Sequence, residues 1–189
     1  MSATKSGLVM SAENVLQVMN QLNQCFATGS RLLPAQVDYV PLTPMICFSV
    51  LGHDWVVPLG QVTELVEIQD STPLPGVKPW VVGVSNIRGK LLPIIDFAQF
   101  LGGQLSAVHR LQRIVILDRQ GVFVGLVVDA IKGMRHLGSE GFDVDTRDLE
   151  PALRSFVQGF YRADDGTCTL LLNPDELIEN PLFQDVALS

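Results

Sequence analysis

Apolar residues along most of this chain recur with the two-residue period of strands, or fill short runs without polar interruption. Met45–Leu51 followed by Trp55–Val57 predicts a hairpin turning at Gly52-His53-Asp54. Further strands are predicted at Val62–Ile68, Val81–Ile87, Leu91–Ile95, Arg113–Leu117, Val122–Val128, Lys132–Leu137, Val157–Tyr161 and Thr167–Leu172. Between them Arg88-Gly89, Arg119-Gln120-Gly121 and Asp164-Asp165-Gly166 supply the left-handed positions that tight hairpins require. Many short strands with little helix point to small barrels, not to a parallel α/β sheet.

Helical patterning is confined to three places. Ser11 can cap a helix in which Val15, Met19, Leu22 and Phe26 share one face, with Gly29 as its stop. A short helix is predicted from Asp96 to Leu101, ending at Gly102-Gly103. Near the C-terminus Asn173 is a capping residue, Pro174 suits the first helical position, and Glu176 sits where a capping box needs it. Pro34, Pro41 and Pro44 mark a linker. The expected organisation is therefore an N-terminal extension, 1–44, and a β domain, 45–189.

Composition narrows the function classes. A length of 189 residues suits one substantial domain or two small lobes sharing a core. Charged residues make up 17%, below the roughly 25% usual in globular chains. With 47% hydrophobic residues and a mean hydropathy of +0.29, the chain is expected to fold and to keep apolar surface for partners. A net charge of −7 and pI near 4.8 weigh against nucleic acid and against an anionic membrane surface. No apolar run approaches the roughly 18 residues of a spanning helix, and no signal-peptide pattern follows Lys5. Cys25, Cys47 and Cys168 are scattered and odd in number, as in a reducing, cytoplasmic compartment.

Searching for chemistry yields little. His53, His109 and His136 do not pair with other ligands at helical spacing, and no CxxC or HExxH occurs. Ser2-Ala3-Thr4-Lys5 matches an acyl-transfer pattern, but lies where no elbow could position a nucleophile. Asp143-x-Asp145 begins like a calcium loop, yet Arg147 stands at the third ligand position. Gly83, Gly89, Gly102 and Gly103 do not form a phosphate-cradling motif. The expectation is no catalytic residue, no metal and no cofactor.

The most informative stretch runs from Trp55 to Gly102. It reads Val57-Pro58-Leu59, Val62-Thr63-Glu64, Leu74-Pro75-Gly76-Val77, Trp80-Val81-Val82-Gly83, Asn86-Ile87-Arg88-Gly89, then Leu91-Leu92-Pro93-Ile94-Ile95-Asp96. In this order and spacing it resembles the CheW-like family of chemosensory coupling proteins. Gly125-Leu126-Val127-Val128-Asp129 and Val157-Gln158-Gly159-Phe160 extend the match. Leu74–Trp80, Gly133-Met134-Arg135-His136 and the N-terminal extension are similar to the PilI-type branch, found in type IV pilus chemosensory systems. The resemblance implies a mainly β fold of two intertwined five-stranded barrels with a shared core. It implies a non-catalytic, cytoplasmic adaptor, monomeric when isolated and associated with receptor arrays. Its implied partners are the cytoplasmic tip of a methyl-accepting chemoreceptor and a CheA-type histidine kinase.

The residues themselves leave alternatives open. Arg88 between Asn86 and Gly89 reads alone as a solvated arginine at a hairpin tip, and Glu64 as a solvated strand residue. By resemblance Arg88, Glu64, Asn86, Gly89 and Val62 form the partner-facing surface. Pro93 within a strand marks an edge or bulge position. Asp129, ending a buried strand, is expected to satisfy backbone donors. A small-ligand-binding or enzymatic barrel is the alternative function; it would need a deep cavity with converging polar groups. An OB-like nucleic-acid binder would need exposed aromatic and basic residues.

Removing residues 1–30 should leave the β domain folded, because the proline-bearing linker separates the patterns. Thermal melts and far-ultraviolet circular dichroism of full and truncated chains check this. Loss of cooperative unfolding on truncation would instead make the Val15–Phe26 stripe part of the core.

Overall fold

The computed structural model describes Gln17, Met19, residues 42–163 and residues 166–187. Of the expected N-terminal helix only Gln17 and Met19 fall among these, both helical and exposed. Its cap, its other stripe residues, Cys25 and the linker through Pro41 lie outside them, as do Asp164 and Asp165 of one expected turn.

Eleven strands follow one another among the described residues: β1 (Thr43–Val50), β2 (His53–Pro58), β3 (Val62–Glu67), β4 (Val81–Ile87), β5 (Lys90–Asp96), β6 (Arg113–Arg119), β7 (Val122–Val128), β8 (Ala130–Leu137), β9 (Phe142–Asp143), β10 (Val157–Arg162) and β11 (Cys168–Leu172). One- and two-turn helices separate some of them: α1 (Phe97–Phe100), α2 (Pro151–Arg154), α3 (Pro174–Glu179) and α4 (Pro181–Gln184). Three hairpins share one device. Leu51-Gly52, Arg88-Gly89 and Gln120-Gly121 each place two residues at positive φ, the mirror-image turn whose twist matches that of the flanking strands. The first turn is therefore one residue earlier than expected, and His53 and Asp54 belong to β2. Strand β1 also begins earlier, at Thr43. Pro44 is tolerated near its start because the β2 ladder begins only at Met45.

The strands form a six-stranded sheet, β8-β1-β2-β11-β10-β9, and a five-stranded sheet, β3-β6-β7-β5-β4. The chain starts the first sheet, leaves after β2 to build all of the second, and returns at β8. The five-stranded sheet is thus one continuous stretch of chain inserted between β2 and β8 of the six-stranded sheet. The sixth strand is the two-residue β9, too short to leave a periodic signal. Pairings are antiparallel except β2 with β11 and β5 with β7.

Side-chain alternation sorts three cores. Met45, Cys47, Val56 and Leu171 pack with Leu137, Phe142 and Tyr161 on one face of the six-stranded sheet. Ile87, Leu92, Ile94, Ile114, Ile116 and Val127 do the same for the five-stranded sheet. The intervening residues Phe48, Val50, Trp55, Val57, Leu170 and Leu172 meet Val115, Leu117, Leu126 and Val128 in a shared core. Strands buried on both faces need apolar residues at every position, hence the unbroken runs in β1, β6 and β7.

The chain that follows β3 returns to β4, the opposite outer strand of the five-stranded sheet. Just past β3, Thr72 exchanges backbone hydrogen bonds of 2.8 and 3.0 Å with Val84 of β4. Ser85 Oγ donates to the Asp70 carbonyl at 3.0 Å. Gly83 sits at φ 147°, where a Cβ would collide with the Thr72 carbonyl, so glycine alone permits this approach. Pro93 pairs with Val84, and the β7 ladder begins only at Ile94. Its missing donor thus falls where no second strand needs one. Asp129 is buried, and its Oδ1 accepts from the backbones of Ser106 and Ala107 at 2.6 and 2.8 Å.

Leu126 is fully buried at the join of the two sheets. Leu126→Ala should cost about 2–5 kcal/mol, and unfolding should remain one transition. Denaturant titration followed by both near- and far-ultraviolet dichroism tests it; two separated transitions would show that the sheets unfold independently.

Candidate functional site

The five candidate residues converge at one end of the five-stranded sheet. Ile87 pairs with Lys90, so Arg88 and Gly89 alone make the β4–β5 turn, at φ 51° and 80°. Glycine adopts this conformation freely; for arginine it costs about 1 kcal/mol. The turn is fixed from below by Asn86, whose Oδ1 accepts from the Gly89 amide at 2.9 Å. This is the local bond expected of asparagine at such a position.

Arg88 projects with its side chain 80% exposed, and one guanidinium nitrogen donates to Glu64 at 2.7 Å. Glu64 reaches it because β3 is bulged. Val62 pairs with Leu117, while Glu64 pairs with Ile116, so Thr63 is the extra residue. A bulge re-aims the side chains on either side of it. Val62 thereby packs half-buried against the shared core, and Glu64 turns toward the tip. The structure thus brings Arg88, Glu64, Asn86 and Gly89 into one group. Val62 supports it from the core and offers little surface of its own.

Such an exposed pair contributes about 0–1 kcal/mol to stability. Its significance is geometric. A guanidinium has five donors in a planar fork, and Glu64 engages one side. The rest face solvent. Leu91, directly across from Asn86 in the β4–β5 ladder, is 72% exposed, an apolar neighbour of the tip that sequence reading missed. Its signal was there: it continues the Pro93 and Ile95 side of β5, and nothing predicted on that side covers it.

Elsewhere the electrostatics are structural. The side chain of Arg147 holds Asp145 down to about 2, so the calcium-like loop is occupied by its own arginine. Among the described residues no group of three or more His, Cys, Asp or Glu converges as metal ligands would. Burial pushes the Cys47 thiol and the Asp96 carboxyl up; Asp96 already caps α1 through the Gln99 amide at 2.9 Å. Arg119 donates to both carboxylate oxygens of Asp175, at 3.1 and 2.8 Å, and lowers its pKa. A cavity of about 150 Å³ is lined by Ile94, Ile114 and Val127 together with Asp96 and His109.

Two sheets of five and six short strands around a shared core, with few helices, define a small mainly β scaffold fold. The family model described as CheW-like domain matches residues 44–181, and the chain belongs to that family. It is 38% identical over 156 residues to Protein PilI of Pseudomonas aeruginosa, covering 82% of this chain and 86% of the relative. It is 31% identical over 122 residues to Chemotaxis protein CheW of Rhizobium meliloti, covering 61% and 74%. The crystal structure of the scaffolding protein TtCheW from Thermoanaerobacter tengcongensis superposes with a TM-score of 0.67 at 22% identity. That match covers 78% of this chain and 99% of the other, and establishes the shared fold. The chain is accordingly a chemosensory scaffold of CheW-like build.

Because Arg88 is held at φ 51°, Arg88→Gly should be about 1 kcal/mol more stable than Arg88→Ala. Paired denaturant titrations of the two variants measure this directly. Equal stabilities would show that the turn relaxes once the guanidinium is gone.

Proposed function

We propose that this chain couples chemoreceptors to a CheA-type histidine kinase in a system controlling type IV pilus twitching motility, without doing chemistry itself. The pilus assignment is supported by the 38% identity to PilI over most of both chains. The coupling role is supported by the CheW-like match over residues 44–181. Arg88, Glu64, Asn86, Gly89 and Val62 form the contact surface in this reading. The observation that carries it is the tip itself: a strained, side-chain-fixed turn presenting an open guanidinium beside exposed Leu91. No helix among the described residues is long and apolar enough to cross a membrane. In this reading the protein works in the cytoplasm and reaches receptor arrays through its partners.

Arg88→Ala should weaken association with receptor or kinase by about 1.5–3 kcal/mol, on the order of ten- to hundred-fold in Kd. Its stability should fall by no more than about 1 kcal/mol, the upper range of an exposed pair. Arg88→Lys should rescue binding only in part, since a point charge cannot reproduce the fork. Titrations of the three proteins against a receptor cytoplasmic fragment and the kinase, with parallel melts, provide the check. Unchanged affinity for both partners would remove Arg88 from the interface.

A further inference from the structure

The end of the five-stranded sheet opposite the Arg88 tip holds the cavity of about 150 Å³. Arg88 follows the last residue of β4, whereas the cavity is lined by Val82 near the start of that strand. Asp96 at the end of β5, Ile114 near the start of β6 and Val127 near the end of β7 line it at the same level. The connection that returns from β3 to β4 contributes Ser71. Ile94, Ile114 and Val127 belong to the sheet's own core, so these walls are aliphatic. A carboxyl, the His109 imidazole, the Gln112 amide and the Ser71 hydroxyl supply the polar groups. Apolar walls with a few placed polar groups are the composition of ligand sites, and this volume suits a benzene-sized molecule.

Charge says which molecule fits. Among the described residues lining the cavity, Asp96 is the one carboxylate, and there is no lysine or arginine. Arg113, next to Gln112, is turned instead to the carbonyls of Arg110 and Gln112 and to Glu67. Asp96 is half-buried; burial raises its pKa, and the nearby carboxylate of Asp129 raises it further. Asp129 follows Val127 by two residues in the chain. The amides of Ser106 and Ala107 occupy its Oδ1, but its Oδ2 is buried with no hydrogen-bond partner among the described residues. Buried polar atoms left in that condition are exceptional in folded proteins. Two carboxylates sharing a partly desolvated setting favour a cation that brings its own N–H donors. A metal ion is a poor match, because no group of three or more ligating side chains converges among the described residues. The aliphatic walls call for a hydrocarbon body behind the charge.

We propose that this cavity binds a small organic ammonium ion, a primary amine on a compact hydrocarbon body. The ammonium donates to Asp96, and the hydrocarbon packs on Ile94, Ile114 and Val127. The site gives the scaffold a small-molecule input at the sheet end away from Arg88, and it stands whether or not Arg88 meets a partner.

The full chain is titrated with cyclohexylamine, cyclohexanol and cyclohexanecarboxylate while the methyl signals of Val82, Ile94, Ile114 and Val127 are followed by NMR. Saturable shifts centred on these methyls are expected for the amine. The alcohol should bind at least about tenfold more weakly, and the carboxylate should not saturate. Asp96 also caps α1 through the Gln99 amide, so the charge must be removed without losing the cap. Asp96→Asn does this, since asparagine caps as well as aspartate. It should weaken the amine by about tenfold or more and leave the alcohol unchanged. Val82→Trp, at a partly exposed wall position, fills the space and should abolish binding of both; it serves if Asp96→Asn melts lower. Absence of saturable shifts at the cavity methyls, or equal affinity for amine and alcohol, overturns the proposal. Full amine affinity in Asp96→Asn does the same, as does preference for the carboxylate. An unchanged amine titration in Val82→Trp would put the amine on the outer surface and overturn it as well.

Discussion

Trp55 stands between the two halves of the molecule. Its indole is fully buried, stacked near Phe48 at 6.4 Å and edge-on to Phe97 at 5.5 Å, with its N–H donated to the Val50 carbonyl at 3.3 Å. Phe48 and Trp55 come from the six-stranded sheet. Phe97 opens α1, immediately after the last strand residue of β5. Large aromatic side chains dominate core energetics, and burying an indole N–H requires the partner it finds here. This contact and the aliphatic layer around it fix the second sheet relative to the first. The return of the chain from β3 to β4 and the covering of the five-stranded sheet's shared face by α3 and α4 are built on that arrangement.

A fixed pair of sheets allows the surface to hold unfavourable local structure. Arg88 keeps a left-handed backbone because β4 and β5, paired over their whole lengths, leave the turn no other way to close. Asn86 and Glu64 then set the turn and the guanidinium, each through one hydrogen bond. Asp129 does a comparable service inside, tying the chain after α1 to the end of β7 through two backbone amides. These polar groups steer short stretches of backbone that apolar packing alone would leave free.

The C-terminal helices show the complementary situation. Phe183 is locked among Trp80 and Phe100, and two ion pairs pin the flanks of α3 and α4. A cavity of about 280 Å³ remains between these helices and the five-stranded sheet, lined by Pro93, Ile95, Val122, Val124, Ile178 and Phe183.

Period-2 alternation, Gly-bearing turns and the capping residues Asp96 and Asn173 are local signals, and ten of the strands were legible from them with small shifts in their ends. The double burial of β1, β6 and β7 was legible too, since uninterrupted apolar runs have no solvent face. So were the backbone bonds of Asn86 and Asp129, which depend on residue type. What was not legible is everything set by distance in space. Strand β9, α2 and α4 are too short for any period and exist because neighbours hold them. Arg88 and Glu64 could each be named, but their pairing needs a bulge in β3 and the opposite ends of the sheet order brought near each other in space. The packing of Phe183 against Trp80 and Phe100 arises between elements far apart in the chain. Pattern along a chain records which face a residue needs to bury; which other face it meets is decided only when all of them compete for the same core.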